Sequence, residues 1–352
     1  MSDTLLTYAI VGCGNFTRGA LPGMMSADGW ELVAAMEPDA GKLAETGAAA
    51  GLGEDQLFQD EAGLYGAHRP DLVFVHSPLG FHAENCRRAL EAGCHVCCQK
   101  PFVGNPADGR VLVEIAAQAG LWISIGQTAR LGDVSLLIDR VIREGQIGAP
   151  AFGHHTVYRN RMINASSYTR EESWPVIHAT GIHNVDIYRM WFQSRVAKVS
   201  IRGIDCDWNP YRDPGAVTGW LEMESGPVIT FMHSFVSKVP LDPKRHPYED
   251  NMIQGSEGAL HWNGPWERGP VELLRGDADS PEQIMGNRDD FPVVMTRLMD
   301  SLAASIRDGS PVFCPADDNL WSQAAMFAAQ QSAERGGEVV DVLALGEGVL
   351  SL

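Results

Sequence analysis

The stretch CHVCCQKP, residues 94–101, sets two chemistries against each other. Cys94, His95, Cys97 and Cys98 are metal-ligand types, whereas Lys100 is a cation that a strand end can deliver to a substrate oxygen. A closed zinc site pairs a short cysteine spacing with a second Cys or His pair further along. Cys86 lies on the preceding segment, but no second clean pair follows. A run of small apolar residues, cysteine included, is what a strand buried on both faces requires. The expectation is therefore thiols in a sheet core, no metal, and chemistry at Lys100. A second group lies in VIHATGIHNVDIYRMWF. His183 is an acid/base candidate because imidazole titrates nearest neutral pH, and by residue type alone it is equally a packed core histidine. Asp186, about one helical turn along, orients that ring or caps local backbone. On an α-helix, positions five apart diverge by about 140°, so His178 and His183 are expected on different sides. His178 is then a substrate contact or a packed histidine. His154 and His155 share a strand and point to opposite faces, with His155 taken as a further substrate candidate.

These groups need elements to hold them. TLLTYAIVGCG reads as a strand entering a glycine turn, and NFTRGALPGMMSA as the helix after it. Gly12 allows the tight turn, and Gly14 lets the backbone approach a pyrophosphate at the helix N-terminus. A strict GxGxxG needs a third glycine at position 17, which is Thr17. WELVAAMEP then ends a second strand at Glu37, whose carboxylate can accept ribose hydroxyls and repels a 2'-phosphate. NAD is favoured over NADP. Further strands, RPDLVFVHSP, CHVCCQKP and LWISIGQ, alternate with amphipathic helices, the pattern of a parallel sheet.

Composition narrows the class. The chain has 352 residues, 45% apolar and 20% charged, enough for two folded domains. A formal charge of -18 argues against a nucleic-acid partner. No apolar run is long enough to span a membrane. The N-terminal residues show no basic leader, so a cytoplasmic location is expected. Seven cysteines, mostly within apolar runs, fit buried thiols better than a disulfide framework.

The chain resembles the glucose-fructose oxidoreductase/inositol dehydrogenase family over nearly its whole length. The resemblance rests on AIVGCGNFTRG, Glu37, VFVHSPLGFHAE, GCHVCCQKPF, LIDRVIREGQIGAPAFGH, GIHNVDIYRMW and FCPADDNLWSQAAMFAAQQSAERGGEVV. It implies a Rossmann NAD(P)-binding domain over 1–126. Residues 127–352 would form an α+β domain with a largely antiparallel sheet, for substrate binding and oligomerisation. It also implies that Lys100, the lysine of a Glu-Lys-Pro motif, contacts the reacting hydroxyl, with Gln99 in the glutamate position. His183 matches the histidine of Asp-x-Gly-x-His-x-x-Asp, with Gly181 and Asp186 in place and Ala179 where the first aspartate stands. Gln99, His155, His178 and Asp186 are the expected substrate contacts. The expected cofactor set is Gly12, Gly14, Asn15, Phe16, Glu37, Ser77, Pro78, His82 and Lys100, beside His76.

In the second half, VAKVSIRGID, GAVTGWLEMESG and PVITFMHSFVS alternate and are joined by turn residues, as in an antiparallel sheet. Trp208, Trp220, Trp262 and Trp266 line a sugar site, a subunit face, or only the sheet core. Arg159, Arg161, Arg170, Lys244, Arg245 and His246 reach an anionic or polyhydroxylated substrate or are simply solvated. FPVVMTRLMDSLAASIRDG and NLWSQAAMFAAQQSAERG are amphipathic helices expected on the sheet or domain junction. The implied activity is NAD-dependent hydride transfer at a hydroxyl or carbonyl of a sugar, polyol or cyclic alcohol, in a homodimer or homotetramer. Two alternatives stay open: lyase, hydrolase or epimerase chemistry through transient oxidation by bound NAD, and a non-catalytic dinucleotide-binding regulator.

Overall fold

In a computed structural model of the chain, residues 4–162, 170–239, 248–264, 270–276, 280–285 and 290–350 are described, and the statements below concern these. Lys244, Arg245, His246 and Trp266 lie outside them. The chain divides into two compact units. In the first, β1 (Leu6–Val11), α1 (Asn15–Met25), β2 (Trp30–Met36), α2 (Ala40–Ala50), β3 (Leu57–Phe58) and α3 (Glu61–Ala67) alternate. β4 (Leu72–Val75), α4 (Leu79–Glu91), β5 (His95–Cys98), α5 (Pro106–Gln118) and β6 (Ile123–Ile125) continue the pattern. The six strands form one parallel sheet in the order β3-β2-β1-β4-β5-β6. LVFV of β4 is buried throughout, as a strand covered on both faces requires. Helix starts are fixed locally. The Asp39 carboxylate accepts from Gly41 and Lys42 N–H at the head of α2, and Asn105 with Pro106 opens α5.

The second unit holds α6 (Asp133–Arg143), β7 (Pro150–Tyr158), a π-helical turn (Val176–Gly181) running into α7 (Ile182–Phe192), and β8 (Val196–Ile204). β9 (Ala216–Met223), β10 (Val228–Ser234), β11 (Glu249–Gly255), β12 (Ala259–Asn263), β13 (Pro270–Leu274) and β14 (Glu282–Met285) follow. With β15 (Val340–Asp341), which precedes a last helix, these strands form a sheet ordered β14-β13-β12-β11-β7-β10-β9-β8-β15. Its pairings are antiparallel except for β7 with β10. Among the described residues no helix is long and apolar enough to cross a membrane.

The division differs from a single cut after residue 126. The first unit comprises 1–131 and 290–320, and the second 132–289 and 321–352. The returning segment carries α8 (Phe291–Asp308) and the start of α9 (Ala316–Glu334). Met295, Leu298, Met299 and Leu302 of α8 join Tyr8, Ile10, Met24, Trp30 and Phe74 in one core. Gly23 lets α1 and α8 touch, since a Cβ there would collide with the Pro292 carbonyl. Thr296 donates to Gly23 O (3.0 Å) and Trp30 Nε1 to Met299 O (3.2 Å). FPVVMTRLMDSLAASIRDG therefore completes the nucleotide-fold unit rather than covering the second sheet.

Candidate functional site

The β1–α1 turn is built against the end of β4. Gly12 has a φ of +100°, and a Cβ there would lie 2.6 Å from Ser77 N and 2.7 Å from His76 C. Only glycine fits both restrictions. Gly14, by contrast, has nothing within 4 Å of a Cβ position. It heads α1 with no side-chain cap and no acid in the first turn, leaving the positive end of the helix open to an anion. Thr17 takes the place of a third glycine without opening a gap. It is 0% exposed, and its hydroxyl donates to Gly12 O (2.6 Å). That hydroxyl has one proton, so His76 Nδ1, 3.0 Å away, is the donor toward Thr17 Oγ1. Burial, with nearby His82, pulls His76 down to about 3, so the ring is neutral. Phe16 stacks edge-on against His76 and Phe291 at 4.8 and 5.7 Å, while Asn15 is exposed.

Glu37 sits beside the same turn. Its Oε2 accepts the Cys13 N–H (2.9 Å) and its Oε1 the Asp39 N–H (3.2 Å). Two backbone donors thus fix the carboxylate at the end of β2, where a ribose is read in nucleotide-binding sheets. Ser77 and His82, named with the cofactor set, are engaged with protein. Ser77 Oγ donates to Asn85 Oδ1 (2.6 Å). His82 is 2% exposed, with Nε2 2.8 Å from Ser77 O and Nδ1 2.9 and 3.1 Å from Pro101 O and Phe102 O. It is a strut between the Ser77 loop and the segment after Lys100. Pro78 caps α4 and is exposed.

Lys100 follows β5 and is half-buried, with a cis bond to Pro101. Its N–H donates to Gln99 Oε1 (2.7 Å), so the Gln99 oxygen faces backbone. Gln99 N–H in turn donates to Val75 O (2.9 Å), and Gly126 N–H to Cys98 O (2.8 Å). Neighbouring strands on both sides therefore hold the strand end. Cys86, Cys94, Cys97 and Cys98 are buried, and all seven cysteines are free. Burial pushes the Cys94 thiol up to about 11 and Cys97 up to about 12, so both are thiols rather than thiolates at neutral pH. Among the described residues no group of three His, Cys, Asp or Glu side chains is placed to hold a metal ion.

In the second unit the helix bearing the histidines starts under constraint. Trp174 has a left-handed φ of 44°, its N–H donates to Asp213 Oδ2 (3.0 Å), and its indole seats on Gly203. Ile177 and His178 N–H both bond Trp174 O (2.9 and 3.1 Å). The next turn is π rather than α, with Ile182 N–H bonded to Ile177 O. A turn bonded i to i+5 is wider than an α turn, so His178 and His183 lie nearer to one side than the roughly 140° divergence of an α-helix would put them. Exposure agrees: between Trp174 and Arg189 only His178, Ala179, Gly181 and His183 are not buried. Gly181 lies beside Met326, and a Cβ there would sit at ordinary contact distance, 3.4 Å from Met326 Sδ. His178 Nε2 lies 2.7 Å from Gln330 Oε1, and burial lowers the ring's affinity for a second proton.

Asp186 is 0% exposed and accepts from Ser322 Oγ (2.8 Å), which itself accepts from Arg189 Nη1 (2.8 Å). The trio ties α7 to α9. His155 is 8% exposed, with Nδ1 2.6 Å from the Tyr188 hydroxyl and its ring 4.8 Å from that of His233. Burial holds both rings well below the usual histidine range, His233 at about 3. They form a neutral polar core between β7, β10 and α7. His154, on the other face, donates to Asp250 Oδ2 (2.9 Å). Arg159 is paired with Glu249, Arg161 lies over the Phe235 ring (4.9 Å), and Arg170 bonds Met162 O (3.5 Å). Trp262 is in the core, Trp220 half-buried and Trp208 exposed beneath Lys238. Trp174, Asp213 and Gln330 carry no signal in the sequence, and Thr17 shows there only as the residue in the third glycine's place.

Two known domain families match the chain. Residues 6–127 match the family described as "Oxidoreductase family, NAD-binding Rossmann fold", and residues 136–261 match the "GFO/IDH/MocA C-terminal domain". D-apiose dehydrogenase of Paraburkholderia graminis is 30% identical over 52% of this chain and 49% of that enzyme, so this match spans about half its length. 1,5-anhydro-D-fructose reductase of Ensifer adhaerens is 24% identical over 94% of this chain and 96% of its own. Among solved structures, an oxidoreductase from Agrobacterium radiobacter in complex with NAD+, L-tartaric acid and magnesium superposes with a TM-score of 0.87. It is 20% identical and covers 97% of this chain and 100% of its own.

Proposed function

Because the chain belongs to the GFO/IDH/MocA oxidoreductase family, whose NAD-binding Rossmann domain occupies residues 6–127, we propose that it interconverts a hydroxyl and a carbonyl on a sugar, polyol or related cyclic alcohol with NAD. The observation that carries the cofactor assignment is the open backbone at Gly14, heading a helix without an acid in its first turn, beside the fixed Glu37 carboxylate. Gly12, Gly14, Asn15 and the first turn of α1 hold the pyrophosphate, and Glu37 takes the ribose hydroxyls and disfavours a 2'-phosphate. The relatives named D-apiose dehydrogenase and 1,5-anhydro-D-fructose reductase support the substrate class. We assign the protein to the cytoplasm as a homodimer or homotetramer.

When bound, NAD supplies the hydride acceptor or donor. Lys100 binds the substrate oxygen and stabilises alkoxide charge as the carbonyl forms. His183 takes the hydroxyl proton in oxidation and returns it in reduction, which suits a neutral imidazole. Both residues are thus assigned to one reaction on chemical grounds.

The test is absorbance at 340 nm with NAD against a panel of sugars, polyols and cyclic alcohols, including D-apiose, run beside NADP and beside Glu37→Ser. NADH production from a panel member, with NAD preferred by wild type and the preference weakened in the variant, is the expected result. Tight NAD binding with no reduction across the panel would reject the dehydrogenase reading in favour of bound-NAD lyase-type chemistry or a sensor.

A further inference from the structure

The partly exposed strip of the second unit's helix has two imidazoles at its ends and two small residues, Ala179 and Gly181, between them. One of these imidazoles has its protonation fixed by a residue far away in the chain. Gln330 of α9 donates from Nε2 to Glu334 Oε1 (2.8 Å). An ionised carboxylate only accepts, so the NH2 end of the Gln330 amide must face Glu334 and its oxygen must face His178. That oxygen, 2.7 Å from His178 Nε2, is likewise acceptor-only, which puts the proton of the neutral ring on Nε2. Nδ1 then carries the lone pair. Phe327, its ring 5.7 Å from that of His178, completes the α9 side of the contact, and Glu334 is the charged group acting on the ring.

We propose that Gln330 is a positioning residue: it locks His178 in the Nε2–H tautomer so that Nδ1 accepts a hydrogen bond from a substrate hydroxyl, on the same partly exposed strip as His183. This rests on the dehydrogenase reading and narrows its substrate to a molecule with a second hydroxyl beside the reacting one. The π turn is the device that makes it possible, since on a continuous α-helix the two rings would face apart. Between the two rings lie only the small residues Ala179 and Gly181, both partly exposed.

Two measurements on the full chain test this. The first is the side-chain 15N spectrum of His178 without substrate, in wild type and in Gln330→Met, which keeps the length and removes the acceptor. Wild type should show protonated Nε2 and bare Nδ1, and the variant a mixture of both tautomers. Protonated Nδ1 in wild type, or an unchanged spectrum in the variant, would overturn the lock. The second is steady-state kinetics with the panel member that wild type turns over fastest. Gln330→Met should raise KM about tenfold with kcat within a few-fold, and NAD affinity unchanged. Gln330→Glu should move the acid limb of kcat/KM upward by about one pH unit, because a carboxylate on Nε2–H favours the imidazolium, whose Nδ1 can no longer accept. A purely structural Gln330 would give the same pH limb in both variants, and that result would sink the substrate contact. If wild type turns over nothing in the panel, the function itself fails, and the 15N spectrum still decides the lock.

Discussion

The strand end at Lys100 and the helix carrying His178 and His183 hold their side chains in opposite ways. Lys100 is fixed by its neighbours: Gln99 takes its N–H, and the next strands take the adjoining backbone groups. The two histidines are set from a distance, by a π turn, by Trp174 held on Asp213, and by Gln330, 152 positions after His178. Rigid scaffolding is common to both, but in one it is written locally and in the other across the second unit. Lys100→Met breaks the local side. Without its cation to stabilise alkoxide charge, kcat should fall about 10²–10³-fold, the range for losing one oxyanion donor, with NAD affinity retained. His183→Asn should match that loss if the two act on one reaction. A Lys100→Met protein with kcat within a few-fold of wild type would remove the lysine from the chemistry.

Gly12→Ala attacks the turn upstream of Lys100. The new Cβ would lie 2.6–2.7 Å from β4-end backbone at a φ of +100°, so both sterics and strain oppose it. About 3 kcal/mol of stability should be lost in urea unfolding, together with NAD binding. Gly14→Ala is the control, since space is open there: stability should stay near wild type while NAD affinity alone falls. Equal destabilisation in both variants would mean the two glycines do not divide the work.

The same contrast explains what could be read in the sequence. The parallel sheet, the glycine turn, Glu37 and the strand-end lysine were legible because each rests on residues close in sequence and on strand periodicity. The burial of Cys86, Cys94, Cys97 and Cys98 could be read for the same reason. Thr17 looked like a missing glycine, because only the fold shows that its hydroxyl satisfies the Gly12 carbonyl in the tight helix–strand contact. The π turn was invisible, since the Trp174 that leads into it is held by Asp213 and seated on Gly203, both distant in sequence. The return of α8 to the first unit was hidden because an amphipathic stripe shows that a helix packs, not against what.

Ser322→Ala sharpens the long-range side. Ser322 Oγ donates to Asp186 and accepts from Arg189, all three buried, so the variant takes one bond from each of two enclosed charged groups. A loss of roughly 2 kcal/mol is expected in urea unfolding. If α7 also depends on α9 for its site geometry, kcat/KM should fall several-fold at a pH where the fold is intact. Lost stability with unchanged kcat/KM would confine this clamp to structure.

The smallest effect lies in the row of charges beside β7, whose adjacent histidines repeat the contrast within one strand. His155 faces inward, and burial keeps it and His233 neutral, so their contribution is complete above about pH 6.5 and declines as acid charges them in the unfolded chain. His154 faces outward into a row with Asp250, His261 and Glu272. For His261 burial is the largest single influence and pulls downward, but the hydrogen bonds and charges of Glu272 and Asp250 together outweigh it and raise the ring. A raised histidine stabilises below its unfolded value near 6.5, and that contribution is lost as pH climbs through the folded value. His261→Gln should therefore cost up to ~1 kcal/mol near pH 6, the upper end for partly exposed pairs, and almost nothing near pH 9. Half-molar salt should shrink the pH 6 difference by screening. A deficit equal at both pH values would show that His261 acts by packing, and the outer row would lose its ionic character.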